Sequence, residues 1–388
     1  MAKIGIMGGT FNPIHHGHLQ IAHMAVARAG LREAIFIPTG HPPHKPEDEL
    51  APPLDRLNMT ALAIEGIGEF SLSTAEVDRA GTTYSIETLM ALKSLHPGDA
   101  FSFIIGGDTL EAINLWRDVE ALHRYCDLIV APRPTDRPDD LRALTARVSE
   151  SLSIGILLLD HFGPDVSSTQ MRADAAFGGE DSQLISVSDY IGAQGLYGAP
   201  DSAMAASLRL DLSPKRFRHT RETARAAVRL AVAHGVSPSK AFIAGLLHDC
   251  AKGESDEAML AIIERSDFPL DEEELRLPWL WHAAASAALA HEKYHVDDPE
   301  ILSAIRWHNI GRTGMTALDK VIYIADGIEP NRTTSPELDE IRSLAFTDLD
   351  AAFLSVARRT LHYLGGRGYE IHPNTKKLAN KTTEGSYA

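Results

Sequence analysis

The stretch GGTFNPIHHGH, residues 8–18, follows a short apolar run and precedes an amphipathic stretch typical of a helix. Glycines at its start let the backbone approach a phosphate group closely. The N-terminus of a following helix offers N–H donors and a partial positive charge. Three histidines lie within four residues, and a neutral imidazole can donate to a phosphate without adding permanent charge. A glycine turn with incidental histidines would not account for this cluster, so the stretch predicts a nucleotide-phosphate site.

Short apolar runs alternate with helical patterns through the first half of the chain. Five runs are typical of strands: Lys3–Met7, Ala34–Pro38, Phe101–Ile105, Asp127–Ala131 and Ile154–Leu159. Three stretches between them have helical spacing: Leu54–Ile64, Ile86–Leu95 and Trp116–Arg124. Strands that alternate with helices pair in parallel through crossovers. We therefore predict a doubly wound, Rossmann-like α/β domain.

The strand pattern ends in the second half. Six segments there have apolar residues at helical spacing: Arg216–His234, Ser239–Lys252, Asp256–Arg265, Leu280–Tyr294, Pro299–His308 and Ala317–Ile328. They predict an all-α domain. The stretch 199–213 is rich in small residues and weakly periodic, which predicts a linker that is partly helical. We expect one domain at 1–198 and another at 214–388, because 388 residues exceed what one core usually supports.

Composition excludes several classes of protein. A net charge of −16 opposes general nucleic-acid binding, which requires a basic surface. No apolar run reaches the length of about 20 residues that a membrane helix needs, and the two cysteines cannot form a disulfide framework. We expect a cytoplasmic protein whose partners are small phosphorylated molecules rather than nucleic acid or membrane. The sequence leaves a homo-oligomer open.

Further motifs follow residues 8–18 in order. They are TGHPPHKP at 39–46, GTTYS at 81–85, FIIGGD at 103–108 with Trp116 behind it, and SSTQMR at 167–172. The segment ends with YI at 190–191 and GLY at 195–197. With the H-x-G-H signature of the nucleotidyltransferase superfamily at 15–18, this series resembles the bacterial nicotinate-nucleotide adenylyltransferases over 1–198.

The resemblance implies adenylyl transfer from ATP to nicotinate mononucleotide, with Mg²⁺ carried by the ATP phosphates and no protein nucleophile. The residues it implies for stabilising the transferring phosphate are His15, His18, Lys45 and Arg172. Those it implies for binding ATP and the mononucleotide are Gly8, Gly9, Thr10, Phe11, His44, Thr83, Tyr84, Gly106, Asp108, Trp116, Ser167, Ser168 and Thr169.

The second half contains a set of metal-ligating residue types spread over five predicted helices: His219, His248, Asp249, His282, His308 and Asp326. Imidazoles and carboxylates together suit iron, manganese or zinc, and of these we expect iron. Six ligands exceed what one metal with an open position usually takes, which favours a dinuclear centre. His248 and Asp249 are adjacent, so both can reach a metal only if the helix is distorted there or the metals are bridged.

The order H…HD…D is that of the HD phosphohydrolase superfamily. Four segments around the ligands, at 216–220, 244–252, 307–312 and 323–332, resemble the bacterial symmetrical diadenosine-tetraphosphatases. The resemblance implies metal-dependent hydrolysis of a dinucleoside polyphosphate to two ADP, with Asp249 and Lys252 as catalytic residues. Loops decide substrate choice, so a phosphohydrolase of other nucleotide specificity and a nucleotide-binding regulatory module stay open.

Overall fold

The N-terminal half of the computed structural model is built on one parallel sheet. Its strands are β1 Lys3–Gly9, β2 Glu33–Pro38, β3 Phe70–Leu72, β4 Ala100–Gly106, β5 Cys126–Ala131 and β6 Ile156–Leu158. Their order in the sheet is β3-β2-β1-β4-β5-β6, and every neighbouring pair is parallel. The five predicted strands and the doubly wound class are confirmed. The additional strand β3 is a three-residue edge strand, too short to show a period.

The chain forms two compact units, Met1–Pro200 and Asp201–Ala388. The structure describes residues 2–43, 46, 49–133, 135–160, 167–176, 184–332 and 335–380. Among these residues, none of the helices combines the length and apolarity that crossing a membrane requires.

The helices of the N-terminal unit are α1 His16–Ala29, α2 Pro53–Ile64, α3 Ser85–Leu95, α4 Gly107–Glu111, α5 Pro138–Leu152, α6 Ser168–Ala176 and α7 Ile185–Gln194. The predicted helices at Leu54–Ile64 and Ile86–Leu95 are confirmed, but the one at Trp116–Arg124 is wrong. Two short 3₁₀ segments, Ile113–Leu115 and Val119–Arg124, lie there instead. Asp118 has a φ of 51°, and this left-handed residue interrupts any continuous helix.

The adjacent strands β1 and β4 form the centre of the sheet, where the strand order reverses direction. In open α/β sheets, ligands bind outside the carboxyl ends of the strands at this point. Gly8 and Gly9 end β1, and Gly106 ends β4. A Cβ at Gly8 would lie 2.7 Å from the Phe103 ring, so only glycine fits between the strands. The fold therefore places the glycine turn at the position where a nucleotide is expected.

The C-terminal unit is helical throughout the residues that the structure describes. Its helices are α8 Ala203–Asp211, α9 Pro214–Ala233, α10 Pro238–Leu247, α11 Asp256–Glu264, α12 Glu272–Leu275, α13 Trp281–Glu292, α14 Pro299–Trp307, α15 Ala317–Ile328, α16 Pro336–Leu344, α17 Leu349–Gly366 and α18 Pro373–Ala379. The all-α prediction is confirmed. A Cβ at Gly245 would lie 2.7 Å from the Ala224 Cα, so a glycine allows α9 and α10 to approach closely.

The predicted helix Ser239–Lys252 is too long, because α10 ends at Leu247. His248 is its C-cap residue, and the chain then turns. The Ala251 N–H donates to the Ser286 hydroxyl at 3.1 Å, outside any helical ladder. Asp249 and Lys252 therefore lie in a turn and not on the helix of His248.

Part of the stretch 199–213 is an ordered helix of the C-terminal unit. Ser202 caps α8 by accepting from the Ala205 N–H. At the other end of α8, Asp211 pairs with Lys293 and accepts from the Tyr294 hydroxyl at 3.2 Å. The domain limits at 198 and 214 stay predictions, but α8 packs within the C-terminal unit.

Candidate functional site

The turn at residues 8–18 orients two imidazoles at the start of α1. The backbone N–H of His15, the N-cap residue, donates to the Nδ1 of His18 at 3.2 Å. The two rings stack with centroids 3.7 Å apart. Because Nδ1 of His18 accepts this bond, the neutral ring carries its proton on Nε2. His15 is buried, whereas His18 is partly exposed. His18 thus has the tautomer that can donate to a phosphate through Nε2.

Asn12 connects this turn to two distant segments. It is 4% exposed. Its Nδ2 donates to the Glu49 carbonyl at 3.0 Å, and its Oδ1 accepts from the Ala51 N–H at 2.9 Å. The Tyr197 hydroxyl also donates to the same Oδ1, at 2.8 Å. The side chain of Asn12 is therefore held from three directions.

Helix α6 is tied to the same turn. The Ser168 hydroxyl donates to the Pro13 carbonyl at 2.9 Å, and Arg172 Nη1 donates to the Asn12 carbonyl at 2.8 Å. A second Arg172 nitrogen, Nη2, lies 3.3 Å from the Thr169 hydroxyl. A guanidinium has five N–H donors, so these contacts orient Arg172 without using all of them. The structure thus brings the predicted residues Ser168, Thr169 and Arg172 to the histidine-bearing turn.

Arg56 supports the turn from within the protein, and the sequence analysis did not identify it. It is fully buried, and its three nitrogens donate to the carbonyls of Thr10, Gly40 and Ala51 at 2.7, 2.8 and 3.0 Å. Burial lowers the pKa of Arg56 to about 10, so the guanidinium stays charged at neutral pH. The available signal was an arginine in the apolar pattern of Leu54–Ile64, which also suits an exposed helix face.

The segments predicted to hold the mononucleotide lie beside each other. The Thr83 N–H donates to the His41 carbonyl at 3.2 Å, which joins the chain after β2 to the start of α3. Thr83 is buried and Tyr84 is the N-cap residue of α3. The buried Glu76 accepts a hydrogen bond from the hydroxyl of Thr88, on the same helix α3, at 2.8 Å. Burial raises the pKa of Glu76.

The remaining predicted residues follow β4. Gly106 ends the strand and caps α4, on which Asp108 pairs with Arg133 at 2.7 Å. Trp116 is partly exposed and packs edge-on against Phe103, with ring centroids 5.5 Å apart. Two predicted residues, His44 and Lys45, lie outside the described residues.

All six predicted metal ligands of the C-terminal unit converge on one point. Asp249 is central, because its two oxygens face different histidines. Its Oδ2 lies 3.8 Å from His219 Nε2 and 3.6 Å from His248 Nε2. Its Oδ1 lies 3.5 Å from His282 Nε2 and 3.6 Å from His308 Nε2.

Two groups of three potential ligand atoms lie within 4.8 Å of one another and share His248. One group contains His219 and Asp326, and the other contains Asp249 and His308. Asp326 Oδ1 is 3.0 Å from His219 Nε2. Imidazole nitrogens and carboxylate oxygens are the donor set that a transition-metal ion takes, so each group could hold a metal.

Hydrogen bonds behind the histidines fix their orientation. The Nδ1 atoms of three histidines each lie within hydrogen-bond distance of the carbonyl of the residue three positions earlier: His248 at 2.8 Å, His282 at 3.0 Å and His308 at 2.7 Å. An Nδ1–H that donates to a carbonyl leaves the Nε2 lone pair for a metal. His219 differs, because its Nδ1 faces Glu329 Oε1 at 3.2 Å. The sequence analysis did not assign Glu329 a role.

Burial and charge set the protonation of this cluster. Burial lowers the pKa of His248 to about 4. Burial and the nearby Lys252 ammonium hold the pKa of His282 well below its usual range. Burial opposes ionisation of Asp249, but its interactions with the surrounding histidines, His248 foremost, and with Lys252 outweigh burial and keep the pKa of that carboxyl well below normal. The imidazoles of His248 and His282 are therefore neutral and Asp249 is charged at neutral pH, as metal ligands must be.

Two arginines lie at the more exposed side of the cluster. Arg216 Nη1 donates to Asp249 Oδ2 at 2.6 Å, and Arg332 pairs with Asp326. Asp326 and both arginines are partly exposed, whereas the four histidines are nearly buried. A phosphate that approached from this side would meet the arginines first. Arg216 and Arg332 belong to the quoted motifs at 216–220 and 323–332.

Comparison with known proteins divides the chain in the same way. The cytidylyltransferase-like family matches residues 6–174, and the HD domain matches residues 216–331. A probable nicotinate-nucleotide adenylyltransferase from Dehalococcoides mccartyi is 39% identical over 198 residues, covering 50% of this chain and 97% of that protein. Another, from a Synechococcus species, is 40% identical over 197 residues, covering 50% and 94%.

Among solved structures, a predicted HD superfamily hydrolase involved in NAD metabolism from Clostridium acetobutylicum is 37% identical. The match covers 46% of this chain and 93% of that one, with a TM-score of 0.44.

Proposed function

The chain belongs, over its N-terminal half, to the nicotinate-nucleotide adenylyltransferase family, and on that premise we propose that this unit transfers the adenylyl group of ATP to nicotinate mononucleotide. The products would be deamido-NAD and pyrophosphate, a step of NAD biosynthesis. One observation carries the proposal: Ser168 and Arg172 donate to the carbonyls of Pro13 and Asn12, in the same turn whose end carries the stacked His15 and His18, at the centre of the carboxyl edge of the sheet.

The proposed mechanism is in-line attack of the mononucleotide phosphate on the α-phosphorus of ATP. His15 and His18 would donate to the transferring phosphate, and Arg172 and Lys45 would neutralise the triphosphate. Mg²⁺ arriving with ATP would supply further neutralisation of the phosphates. The contribution of the protein is then positioning and electrostatic stabilisation of charge that develops in the transition state.

The other proposed binding roles are those that the family resemblance implies. The floor of the phosphate site would consist of Gly8, Gly9, Thr10 and Phe11. Ser167 and Thr169, around the start of α6, would also contact the phosphates. Gly106 and Asp108 would bind the adenosine side. The pyridine ring would be held by Thr83, Tyr84 and Trp116. Backbone N–H donors at the start of α3 would favour the carboxylate of nicotinate over the amide of nicotinamide.

The test is a product assay with both mononucleotides. We expect deamido-NAD and pyrophosphate from nicotinate mononucleotide with ATP and Mg²⁺, and a clearly lower kcat/KM with nicotinamide mononucleotide. Equal kcat/KM for the two substrates would contradict the selectivity. Absence of any dinucleotide product would contradict the adenylyltransferase itself.

For the C-terminal unit, we propose a metal-dependent phosphohydrolase that splits diadenosine tetraphosphate symmetrically into two ADP. The convergence of six potential ligand residues and two arginines supports a metal-dependent phosphohydrolase. The resemblance of the segments around these residues supports the dinucleoside polyphosphate. His219, His248, Asp249, His282, His308 and Asp326 would hold a pair of transition-metal ions, for which we propose iron. When bound, the metals would supply Lewis-acid activation of the phosphate and of water. Arg216, Arg332 and Lys252 would bind the polyphosphate chain.

A substrate panel separates the alternatives for this unit. Protein loaded with Fe²⁺, Mn²⁺ or Zn²⁺ is given diadenosine tetraphosphate, mononucleotides and cyclic nucleotides. Two ADP as the sole product would support the proposal, whereas ATP plus AMP would show asymmetric cleavage. Faster hydrolysis of a mononucleotide or cyclic nucleotide would give the unit another specificity. Nucleotide binding without hydrolysis under every metal would make it a regulatory module.

A further inference from the structure

The motif at residues 195–197 has no part in the proposed chemistry, yet its tyrosine reaches the centre of the N-terminal site. The Tyr197 hydroxyl donates to Asn12 Oδ1 at 2.8 Å, across 185 positions of sequence. The main-chain carbonyl of the same Asn12 accepts from Arg172 Nη1 at 2.8 Å. One residue therefore connects the tyrosine to the arginine that would bind the triphosphate.

The backbone at Tyr197 indicates that its placement is specific. Tyr197 has a φ of 57° and a ψ of 21°, between two glycines that also have positive φ. A left-handed conformation costs a residue with a side chain roughly 1–2 kcal/mol. Such conformations persist where surrounding contacts outweigh the cost, and they cluster at functional sites. Phe11, next to Asn12 in the chain, is also left-handed, with a φ of 46°.

We propose that Tyr197 is a positioning residue for adenylyl transfer: its hydroxyl fixes Asn12, and the Asn12 carbonyl in turn aims Arg172 at the phosphates of ATP. This inference rests on the proposed function of the N-terminal unit. Tyr197 itself would touch neither substrate. Without its hydroxyl, the Asn12 side chain would keep its contacts to Glu49 and Ala51 but lose the bond that ties it to the end of the unit.

A simpler role, in which Tyr197 only closes the unit, has a matched control. Tyr190 is a fully buried tyrosine of α7. Its hydroxyl donates to Asp55 Oδ1 at 2.8 Å and accepts from Asn58 Nδ2 at 2.8 Å. Tyr190→Phe thus removes a comparable tyrosine hydroxyl whose partners lie on α2 and not on Asn12.

The experiment is a double-mutant cycle in the full chain. Tyr197→Phe and Tyr190→Phe are made singly and each combined with Arg172→Ala, and kcat, KM for ATP and Tm are measured. We expect Tyr197→Phe to lower kcat/KM for ATP about five- to tenfold, which corresponds to about 1 kcal/mol. In the Arg172→Ala background the same change should cost less than about twofold, since the residue that it positions is gone. Tyr190→Phe should lower Tm and have equal effects on kcat/KM in both backgrounds.

Each result decides the inference. Equal losses from Tyr197→Phe in both backgrounds, or wild-type kinetics in the single variant, would overturn it. Loss of Tm without loss of kcat/KM would also overturn it, because Tyr197 would then be structural only. Assays at 15 °C keep the comparison valid for a variant of lowered Tm. Failure of the proposed function is seen separately, as a wild-type protein that makes no deamido-NAD.

Discussion

Glu329 Oε1 lies 3.2 Å from Nδ1 of His219. In the other three histidines of the cluster, Nδ1 lies within hydrogen-bond distance of a main-chain carbonyl instead. Glu329 is 2% exposed and also accepts from the Asn331 N–H. Burial opposes a charge on His219, but hydrogen bonds to Asp326 and Glu329 outweigh it and raise its pKa to about 9. Without a metal, His219 therefore holds a proton at neutral pH, and a metal ion would have to displace that proton from Nε2. Glu329 would keep the proton on Nδ1 and orient the ring.

The first prediction concerns this carboxylate. Glu329→Ala should lower metal affinity about 10- to 100-fold, the usual cost of losing a partner behind a ligating histidine. Competition with a chelator measures the affinity, and adenylyl transfer should not change. The control is Glu274→Gln, which alters another buried carboxyl of the same unit, paired with Arg306 at 2.6 Å. It should lower stability and leave metal affinity intact. Unchanged affinity in Glu329→Ala would show that His219 does not depend on Glu329.

The second prediction concerns the central carboxylate. Asp249→Asn should abolish phosphohydrolysis and lower the bound metal content. Asp249 presents one oxygen to each of two pairs of histidines, whereas an asparagine amide has a single oxygen. Metal analysis and ADP release are measured on the same sample. Adenylyl transfer by that sample should equal that of the wild type, which is the internal control. Hydrolysis that survived in Asp249→Asn would place the reaction outside this cluster.

The third prediction concerns His18. Removing one donor to a transition state typically costs about 10²-fold in kcat. His18→Ala should show a loss of this size with a smaller change in KM, because the Nε2 proton would act on developing charge. His23→Ala is the control, since this exposed histidine lies farther along α1 and pairs with Glu69 at 2.6 Å. Wild-type kcat in His18→Ala would reduce its role to its contact with the His15 N–H.

The fourth prediction follows from Glu76. Its pKa in the folded protein is raised by burial above the unfolded value of 4.5. Protonated Glu76 therefore stabilises the folded state relative to the unfolded one. This stabilisation is fully present below pH 4.5 and is lost as pH rises through the folded pKa. Each pKa unit of such a shift is worth about 1.4 kcal/mol. Glu76→Gln keeps an oxygen for the Thr88 hydroxyl without the charge, so it should raise Tm at pH 7.

The difference in Tm between Glu76→Gln and the wild type should shrink toward zero as pH falls to 4.5. The C-terminal unit is identical in the two proteins, so the difference isolates Glu76. The exposed Glu150→Gln on α5 should show no such trend. A difference in Tm that did not change with pH would mean that Glu76 titrates normally.

Local sequence patterns predicted the helices and strands of this protein better than they predicted its tertiary contacts. The five predicted strands were short apolar runs, because these strands are buried along most of their length. The helices that carry the predicted ligands had apolar residues at helical spacing. The end of α10 could not be predicted, since its apolar spacing continues past Leu247. The Ala251–Ser286 bond, between residues distant in sequence, accompanies the turn that follows. Similarly, the left-handed Asp118 interrupts an otherwise helical pattern at Trp116–Arg124.

The residues of the candidate sites could be predicted where a sequence motif contains them. The residues that orient them from distant parts of the sequence could not. Histidines and aspartates identified all six residues that converge in the C-terminal cluster. Arg56 and Glu329 act through hydrogen bonds to groups distant in sequence, and no spacing rule links Arg56 to the carbonyl of Thr10. Buried polar side chains require such partners, but the sequence does not name them.

The last prediction is that the two units work when separated, provided that the cut respects α8. Every predicted transferase motif precedes residue 198, and every predicted metal ligand follows residue 213. The predicted linker 199–213 would permit a cut before Leu212, but that cut removes α8. Arg209 lies over the Phe217 ring at 4.9 Å, and a Cβ at Gly253 would lie 2.3 Å from the Asp211 carbonyl oxygen. Helix α8 therefore packs against both α9 and the turn that carries Asp249.

Fragments 1–200 and 201–388 should each fold and keep most of their kcat/KM, whereas a fragment that begins at Leu212 should have a lowered Tm and weaker metal binding. The three fragments are compared with the full chain by thermal unfolding and by both activity assays. A tenfold loss of either activity in 1–200 or 201–388 would mean about 1.4 kcal/mol of transition-state stabilisation passes between the units, which would contradict their independence.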